Sequence, residues 1–174
     1  MKNPELISKL RFVGAVEFGS RALGVNSNRS DYDFAMTAKA FEEFFGNSNY
    51  QLRYNDTLAK YFKVTPPEGF NQIFKYYLEG NSFDSHYLDV IVVEFEEDLE
   101  VIKKAVAETA THPKFKLRNK AFRIKAYETA LFNNGWIHTR KSLGTRLSAK
   151  ITKTLNGVAK WILRNEHKTW STPF

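Results

Sequence analysis

The segment Phe18-Gly19-Ser20-Arg21-Ala22-Leu23-Gly24, followed by Ser30-Asp31-Tyr32-Asp33, decides the fold of this chain. The apolar run before it predicts a β-strand over 12–18 that ends in a Gly-Ser turn. Glycine lets the backbone approach a ligand closely there, and a helix opening at Ser20 would direct free N–H groups towards phosphate. Asp31 and Asp33 stand two residues apart, so an extended segment points both carboxylates to one face, where they can hold divalent cations.

A third carboxylate lies inside a second apolar run. Asp89 interrupts the β-branched segment 87–93. Aspartate is depleted from strands, and burying its charge is costly unless it is paired or binds a cation. Asp89 is therefore predicted to be paired or to bind a cation. The alternatives are a solvent-facing edge position for Asp89 and an ordinary polar turn at 30–33. Separately, Asp84 or Glu94 is an alternative to Asp89 as the third carboxylate.

These motifs resemble the signature of the DNA polymerase β nucleotidyltransferase superfamily: an apolar residue, Gly, Gly or Ser, a short spacer, and Asp-x-Asp or Asp-x-Glu. Ten residues, 21–30, separate Ser20 from Asp31. The fuller string looks most like the predicted nucleotidyltransferases linked to RNA repair, which carry Gly-Ser-Arg-Ala and Ser-Asp-Tyr-Asp. The resemblance implies an α+β fold with a small mixed, palm-like β-sheet. The stretch of 55 residues between Asp33 and Asp89 is longer than in minimal members.

The resemblance also implies a metal site. Asp31 and Asp33 would bridge two Mg²⁺ ions, with Mn²⁺ as an alternative, and Asp89 would hold the ion that activates an incoming hydroxyl. Two such ions stabilise both the attacking and the leaving oxygen of an in-line displacement. Asp31, Asp33 and Asp89 are thus the expected catalytic residues.

The expected nucleotide-binding residues follow from the same resemblance. Gly19 and Ser20 would bind the β- and γ-phosphates, and Arg21 would donate to a phosphate oxygen, although a surface role for this arginine is equally compatible with the sequence. A Walker A loop is excluded, because Val25-Asn26 stands where Lys and Ser or Thr would be needed.

Composition narrows the class of protein. The 174 residues are 43% hydrophobic and 15% aromatic, which is typical of a folded globular chain. The absence of cysteine excludes disulfides and is compatible with a reducing, cytoplasmic location. The four histidines are too scattered for a local zinc pair. Neither a secretory signal nor a membrane span is expected.

Charge divides the chain into an acidic and a basic part. Residues 1–111 carry 12 Lys/Arg and 17 Asp/Glu, a balance of −5, whereas residues 112–174 have a balance of +12. We therefore expect a nucleotidyltransferase core at 1–111 and a basic helical module at 112–174 packed on it. Basic residues recur at helical spacing beside an apolar stripe in this module and are expected to contact a nucleic-acid backbone: Arg146, Lys150, Lys153, Lys160 and Arg164. The alternative is a solvated helix face.

Together these features favour an enzyme that transfers a nucleoside monophosphate from an NTP to a hydroxyl and releases pyrophosphate. The basic module favours RNA, including tRNA, as the acceptor. A nucleotidyltransferase that modifies a protein partner, of the toxin-antitoxin type, is one alternative. A catalytically silent nucleic-acid-binding module is another, since function rests on the site and not on the fold.

The pattern also predicts individual elements. A helix is expected from Asn3 to Leu10, and another over 41–45 that ends near Gly46. Paired strands are expected at 73–78 and 86–95, with helices at 97–110, 114–133 and 141–166. Region 47–71 gives no clear prediction apart from a loop at 65–69.

Overall fold

A computed structural model of the chain describes residues 3–78, 87–113 and 119–139. The helices are α1 (Asn3–Phe12), α2 (Gly19–Ala22), α3 (Ala38–Phe45), α4 (Glu96–Ala110) and α5 (Lys120–Asn133). The strands are β1 (Val16–Phe18), β2 (Tyr32–Thr37), β3 (Leu52–Thr57), β4 (Val64–Thr65), β5 (Asn71–Tyr77), β6 (Tyr87–Val93) and β7 (Ile137–His138), with a 3₁₀ turn at Leu58–Lys60. The chain divides into two compact units, Met1–His138 and Thr139–Phe174, and every described residue except Thr139 belongs to the first.

The centre of the fold is a five-stranded mixed sheet in the order β1-β2-β6-β5-β3. Strands β2 and β6 are parallel neighbours, and the other pairs are antiparallel. Both central strands end in fully buried segments, 34–37 and 90–93, which explains their continuous apolar character. A separate two-stranded sheet joins β4 to β7.

Helices cover both faces of the five-stranded sheet. On one face, Leu10 of α1 and Phe45 of α3 pack with Phe34 of β2. On the other, Ile102 of α4 and Leu131 of α5 belong to the cluster that contains the sheet residues Ala35, Ile73 and Ile91. Apolar burial on both faces therefore fixes the sheet between two helical layers.

The structure confirms the α+β class and several predicted elements. Helix α4 occupies the predicted 97–110, and α5 occupies the described part of the predicted 114–133. Strands β5 and β6 form the predicted antiparallel pair. The predicted helix at 141–166 lies outside the described residues. Among the described residues, no helix is both long and apolar enough to cross a bilayer.

The predicted strand at 12–18 is wrong in its first half. Phe12 is the last residue of α1 and its side chain is 92% exposed. Gly14 adopts a φ of +80°, and the amide of Ala15 donates to the carbonyl of Leu10, 3.1 Å away. Such a left-handed glycine ends a helix, so the strand starts only at Val16. Region 47–71, for which the sequence predicted only a loop at 65–69, supplies β3, the 3₁₀ turn and β4, and residues 66–70 form a loop.

Candidate active site

Polar side chains form a row across the middle of the sheet. Asp33 of β2 and Asp89 of β6 are paired positions of the parallel ladder. The same row continues to Phe18 on one side and to Lys75 and then Tyr54 on the other. Because side chains alternate along a strand, Asp33 and Asp89 share the sheet face of Ala35 and Ile91, which is the face covered by α4 and α5.

Asp31 lies at the start of β2 and completes a group of three carboxylates. Its Oδ1 accepts a hydrogen bond from the amide of Tyr87, the first residue of β6, at 3.2 Å. Its Oδ2 lies 3.9 Å from Nζ of Lys75. The structure thus brings Asp31, Asp33 and Asp89 to one place, as the sequence predicted, through the β2–β6 pairing.

Lys75 is the residue of this cluster that the sequence interpretation missed. Its Nζ lies 2.7 Å from Oδ2 of Asp89, and only 13% of its side chain is exposed. Burial lowers the pKa of Lys75, but the hydrogen bond and charge of Asp89, together with the charge of Asp31, raise it overall. Lys75 therefore stays charged. A lysine in the middle of the apolar strand 73–77 was the available signal, of the same kind as Asp89 in 87–93.

The nearby cations do not compensate the negative charge of the three carboxylates. Burial, with the charges of Asp89 and Asp31, raises the pKa of Asp33 to about 8 against the opposing effects of Lys75 and Lys120. Burial also raises the pKa of Asp89, although the hydrogen bond from Lys75 opposes it. Oδ1 of Asp89 is buried and has no hydrogen-bond partner. A buried, unsatisfied carboxylate oxygen is costly, and a cation removes that cost.

The donor chemistry of this cluster fits Mg²⁺. Carboxylate oxygens are the ligands that hard divalent cations prefer, and Asp33 and Asp89 supply them where positive charge is lacking. In the part of the chain that the structure describes, no group of three or more His, Cys, Asp or Glu side chains is already arranged as a metal site. The fit therefore lies in the donor type and the charge balance, with Lys75 as the cation now paired to Asp89.

Gly19 is required by the position of Asp33. It adopts a φ of +71°, and a Cβ built on it would collide with the Asp33 carboxylate, whose Cγ would lie 2.7 Å away. The Gly19–Ser20 turn, which begins α2 directly after β1, therefore packs against the carboxylate. Ser20 follows Gly19 and lines the same cavity.

Arg21 holds the loop before β2. Its Nη2 and Nε donate to the carbonyl oxygen of Ser30 at 2.6 and 3.1 Å, and Nε also donates to the carbonyl of Asp31 at 3.2 Å. The guanidinium carbon lies 3.9 Å from the ring centroid of Tyr32. These contacts position Asp31. Arg21 is not among the residues that line the cavity, and its expected phosphate contact stays a prediction.

A cavity of about 530 Å³ opens above the carboxylates. Its lining combines three surfaces: the carboxylates with Lys75, the Gly19–Ser20 turn with Arg29, and one face of α5. That face consists of positions i, i+3, i+4 and i+7: Lys120, Arg123, Ile124 and Tyr127. The sequence interpretation did not identify the two cations of this face, Lys120 and Arg123, although their helical spacing of three residues was available as a signal.

The remaining predicted site residues fall elsewhere. The alternative third carboxylate Glu94 follows the last residue of β6 and accepts a hydrogen bond from the amide of Phe70 at 2.7 Å. It does not line the cavity. The other alternative, Asp84, lies outside the described residues. The expected nucleic-acid contacts also lie outside them: Arg146, Lys150, Lys153, Lys160 and Arg164.

Comparison of the chain with protein-family models, with curated proteins and with solved structures finds no match in any of the three. Three carboxylates, a buried lysine and a basic helix face around one cavity favour a ligand that carries several negative charges together with a divalent cation.

The close contact between Gly19 and Asp33 predicts a large effect for Gly19→Ala. A left-handed φ costs an alanine about 1–2 kcal/mol, and displacement of the Asp33 carboxylate adds to this loss. Gly24→Ala is the matched control, because Gly24 has a φ of +63° and open space around its Cβ position. We expect urea unfolding to show the greater destabilisation for Gly19→Ala. Equal losses in the two variants would contradict the contact.

The raised pKa of Asp33 predicts a stability that depends on pH. Without divalent cations, the native state keeps a proton at Asp33 up to a pKa of about 8, whereas the unfolded carboxyl releases it near 3.8. The free energy of unfolding should therefore fall as pH rises through this window, by at most about 1.4 kcal/mol per pH unit for this group. Asp33→Asn should flatten that slope in urea unfolding series.

Asp56→Asn is the control for this experiment. Asp56 forms a surface pair with Lys60, and the side-chain hydrogen bond from Lys60 lowers its pKa. A lowered carboxyl pKa contributes stability that is lost only as the pH falls through that pKa, below the window in question. The Asp56 variant should therefore keep the slope of the wild-type chain. An unchanged slope in Asp33→Asn would show that Asp33 is ionised in the native state.

Proposed function

We propose that this chain is a metal-dependent nucleotidyltransferase with a polymerase β-like, palm-like core. It moves a nucleoside monophosphate from an NTP to the hydroxyl of an acceptor. The observation that carries this proposal is the meeting of Asp31, Asp33 and Asp89 on one sheet face, next to the Gly19–Ser20 turn. The mixed sheet with its central parallel pair supports the same reading.

The proposed reaction is a displacement at the α-phosphorus. The acceptor oxygen forms a bond to the α-phosphorus, the bond between the α-phosphorus and the bridging oxygen breaks, and pyrophosphate leaves with the bridging oxygen. The hydroxyl proton passes to a carboxylate oxygen of Asp89, which acts as the general base. Two Mg²⁺ ions, or Mn²⁺, held by Asp31, Asp33 and Asp89 would stabilise the charge on the attacking and leaving oxygens.

Other residues of the cavity bind and orient the nucleotide. Lys120 and Arg123 present their charges from α5, and Arg29 adds a third cation near Ser20. Cations suit the phosphate chain because charge-assisted hydrogen bonds are stronger than neutral ones. Lys75 holds Asp89 in place through its 2.7 Å ion pair. The polyphosphate thus has cations and the Gly19–Ser20 turn around it.

RNA is the favoured acceptor, and a cytoplasmic location fits that choice. The support is the balance of +12 in residues 112–174, since a polyanion is attracted to such a surface. A protein acceptor is the second candidate. The silent nucleic-acid-binding module is less favoured, because it gives no reason for three carboxylates around a cavity.

Transfer of the α-phosphate tests the proposal. The chain is incubated with each NTP labelled on the α-phosphate, Mg²⁺ and total RNA, and the products are digested separately with nuclease and with protease. We expect nuclease-sensitive label with the wild-type chain and loss of label, by a factor of at least about 100, in Asp31→Ala and Asp89→Asn. Glu94→Gln is the control, because Glu94 follows the same strand outside the cavity.

The outcomes of this experiment distinguish the RNA acceptor from the protein acceptor and from the silent module. Protease-sensitive label alone would favour the protein acceptor. In a parallel incubation with NTP labelled on the γ-phosphate, incorporation of label would contradict nucleotidyl transfer. Absence of pyrophosphate release with every NTP, with RNA binding retained, would favour the silent module.

The basic face of α5 predicts a specific defect in nucleotide binding. Lys120→Gln and Arg123→Gln remove charges that face the cavity, so each should raise the KM for the NTP about tenfold. Lys125→Gln, an exposed lysine of the same helix outside the cavity, is the matched control and should leave KM unchanged. Steady-state kinetics measure the difference. Equal KM values for all three variants would remove α5 from the nucleotide site.

A further inference from the structure

A group of tyrosines surrounds an arginine beside the carboxylates, and none of them has a role in the nucleotide site described above. This tyrosine platform consists of Tyr54 of β3, Tyr77 of β5, Tyr87 of β6, and Tyr61 directly after the 3₁₀ turn, with Arg53 among the rings. The cross-strand pair Tyr77–Tyr87 follows the pair Lys75–Asp89 on the same sheet face.

A β-bulge places Arg53 among these rings. The register shifts between Leu52, which pairs with Tyr76, and Tyr54, which pairs with Lys75, so Arg53 is the additional residue. Its guanidinium carbon lies 4.6 Å from the ring centroid of Tyr87 and 5.7 Å from those of Tyr54 and Tyr77. Bulges redirect side chains next to active sites, and this one turns a cation towards the aromatic rings.

The platform is exposed and reaches the cavity. Tyr54, Tyr61 and Tyr77 are exposed by 37%, 41% and 39%, and Arg53 is exposed as well. The hydroxyl of Tyr61 donates to that of Tyr54 at 3.0 Å, and Tyr61 lines the cavity. Several large rings next to a catalytic cluster thus keep accessible surface that the fold does not use for packing.

The order of the paired residues across the sheet shows on which side of the carboxylates the platform lies. Phe18 and the Gly19–Ser20 turn lie beyond Asp33, on the β1 side. Lys75 and Tyr54 lie beyond Asp89, on the β3 side. An in-line displacement needs the attacking hydroxyl and the leaving pyrophosphate on opposite sides of the reacting phosphorus. With the phosphates at Gly19–Ser20, the attacking hydroxyl approaches from the platform.

We propose that the tyrosine platform binds the unpaired nucleobases at the hydroxyl-bearing end of an RNA acceptor. This inference rests on the proposed nucleotidyl transfer and names the surface that holds its acceptor. The exposed rings stack on bases, and Arg53 stacks on a base or contacts a phosphate. Every base has an aromatic face, so such a surface accepts single strands of any sequence, while a paired end cannot present its bases.

The charge of the platform supports a nucleic acid as its occupant. Arg53 is an exposed cation on this side of Asp89, and its planar guanidinium complements a phosphodiester chain. A guanidinium within reach of three rings provides a flat mixed surface of the kind that accepts a base and its phosphate together.

Equilibrium binding of a short fluorescein-labelled single-stranded RNA tests the platform. Fluorescence anisotropy is measured without NTP and without divalent cations, at low and at high salt, for the full chain. We expect Tyr77→Ala and Arg53→Lys each to raise Kd about tenfold, the second because lysine keeps the charge but loses the planar stacking group. The ratio of variant to wild-type Kd for Tyr77→Ala should be the same at both salt concentrations, because stacking is not an ionic contact.

Matched controls make the result specific. Phe12→Ala removes a 92% exposed ring at the end of α1 and should leave Kd unchanged. A blunt duplex of the same sequence should bind equally well to the wild-type chain and to both platform variants. Wild-type Kd values in both platform variants would overturn the inference, and so would equal losses of duplex and single-strand binding. Circular dichroism establishes that Tyr77→Ala is folded, and Arg53→Lys provides an independent test on an exposed residue.

The test also separates the platform from the chemistry. Asp31→Asn should abolish transfer and leave single-strand binding intact, because the amide oxygen of asparagine can still accept the hydrogen bond from the amide of Tyr87. Labelled RNA from the wild-type chain with unchanged Kd values in the platform variants would preserve nucleotidyl transfer and overturn the platform. The expected Kd changes without any transfer would preserve the platform as an RNA-binding surface and remove the chemistry. Absence of single-strand binding by the wild-type chain, with label only in protein, would overturn the RNA acceptor altogether.

Discussion

The parallel pairing of β2 with β6 is the constraint on which the site depends. It places Asp33 next to Asp89 in a buried part of the sheet, where two like charges would repel each other strongly. Apolar side chains along the rest of both strands, at 34–37 and 90–93, hold this pairing together. The hydrophobic packing of one end of the ladder therefore sustains an electrostatic conflict at the other. Lys75 reduces that conflict through its ion pair with Asp89.

The neighbouring elements keep the carboxylates in this unfavourable arrangement. Gly19 offers no side chain, so the Asp33 carboxylate can lie against the turn after β1. Arg21 donates hydrogen bonds to the carbonyl oxygens of Ser30 and Asp31 and so holds the segment that leads into β2. Gly19 and Arg21 thus keep the carboxylates close together although burial disfavours their charges, which is the kind of arrangement the proposed active site needs.

The surroundings of the carboxylates have two different sides. Towards β1 lies the Gly19–Ser20 turn, while α5 contributes Lys120 and Arg123 to the cavity. Towards β3 lie aromatic rings around Arg53, placed there by a bulge. The first surface suits phosphate and the second suits flat, stacked groups. An asymmetric site of this kind suits the proposed transfer between two different substrates, because donor and acceptor each need their own binding surface.

The sequence alone determined the features that depend on local spacing. Periodicity predicted the helix at 97–110 and the strand pair, whereas the α+β class and the grouping of three aspartates were expected from the resemblance of the motifs to a known superfamily. The sequence misplaced the start of β1, because Gly14 ends a helix that the apolar run concealed. Only the tertiary structure decided the strand order, and with it the roles of Lys75, Arg53 and the α5 face. Register between distant strands and the docking of a helix depend on contacts that no local pattern records.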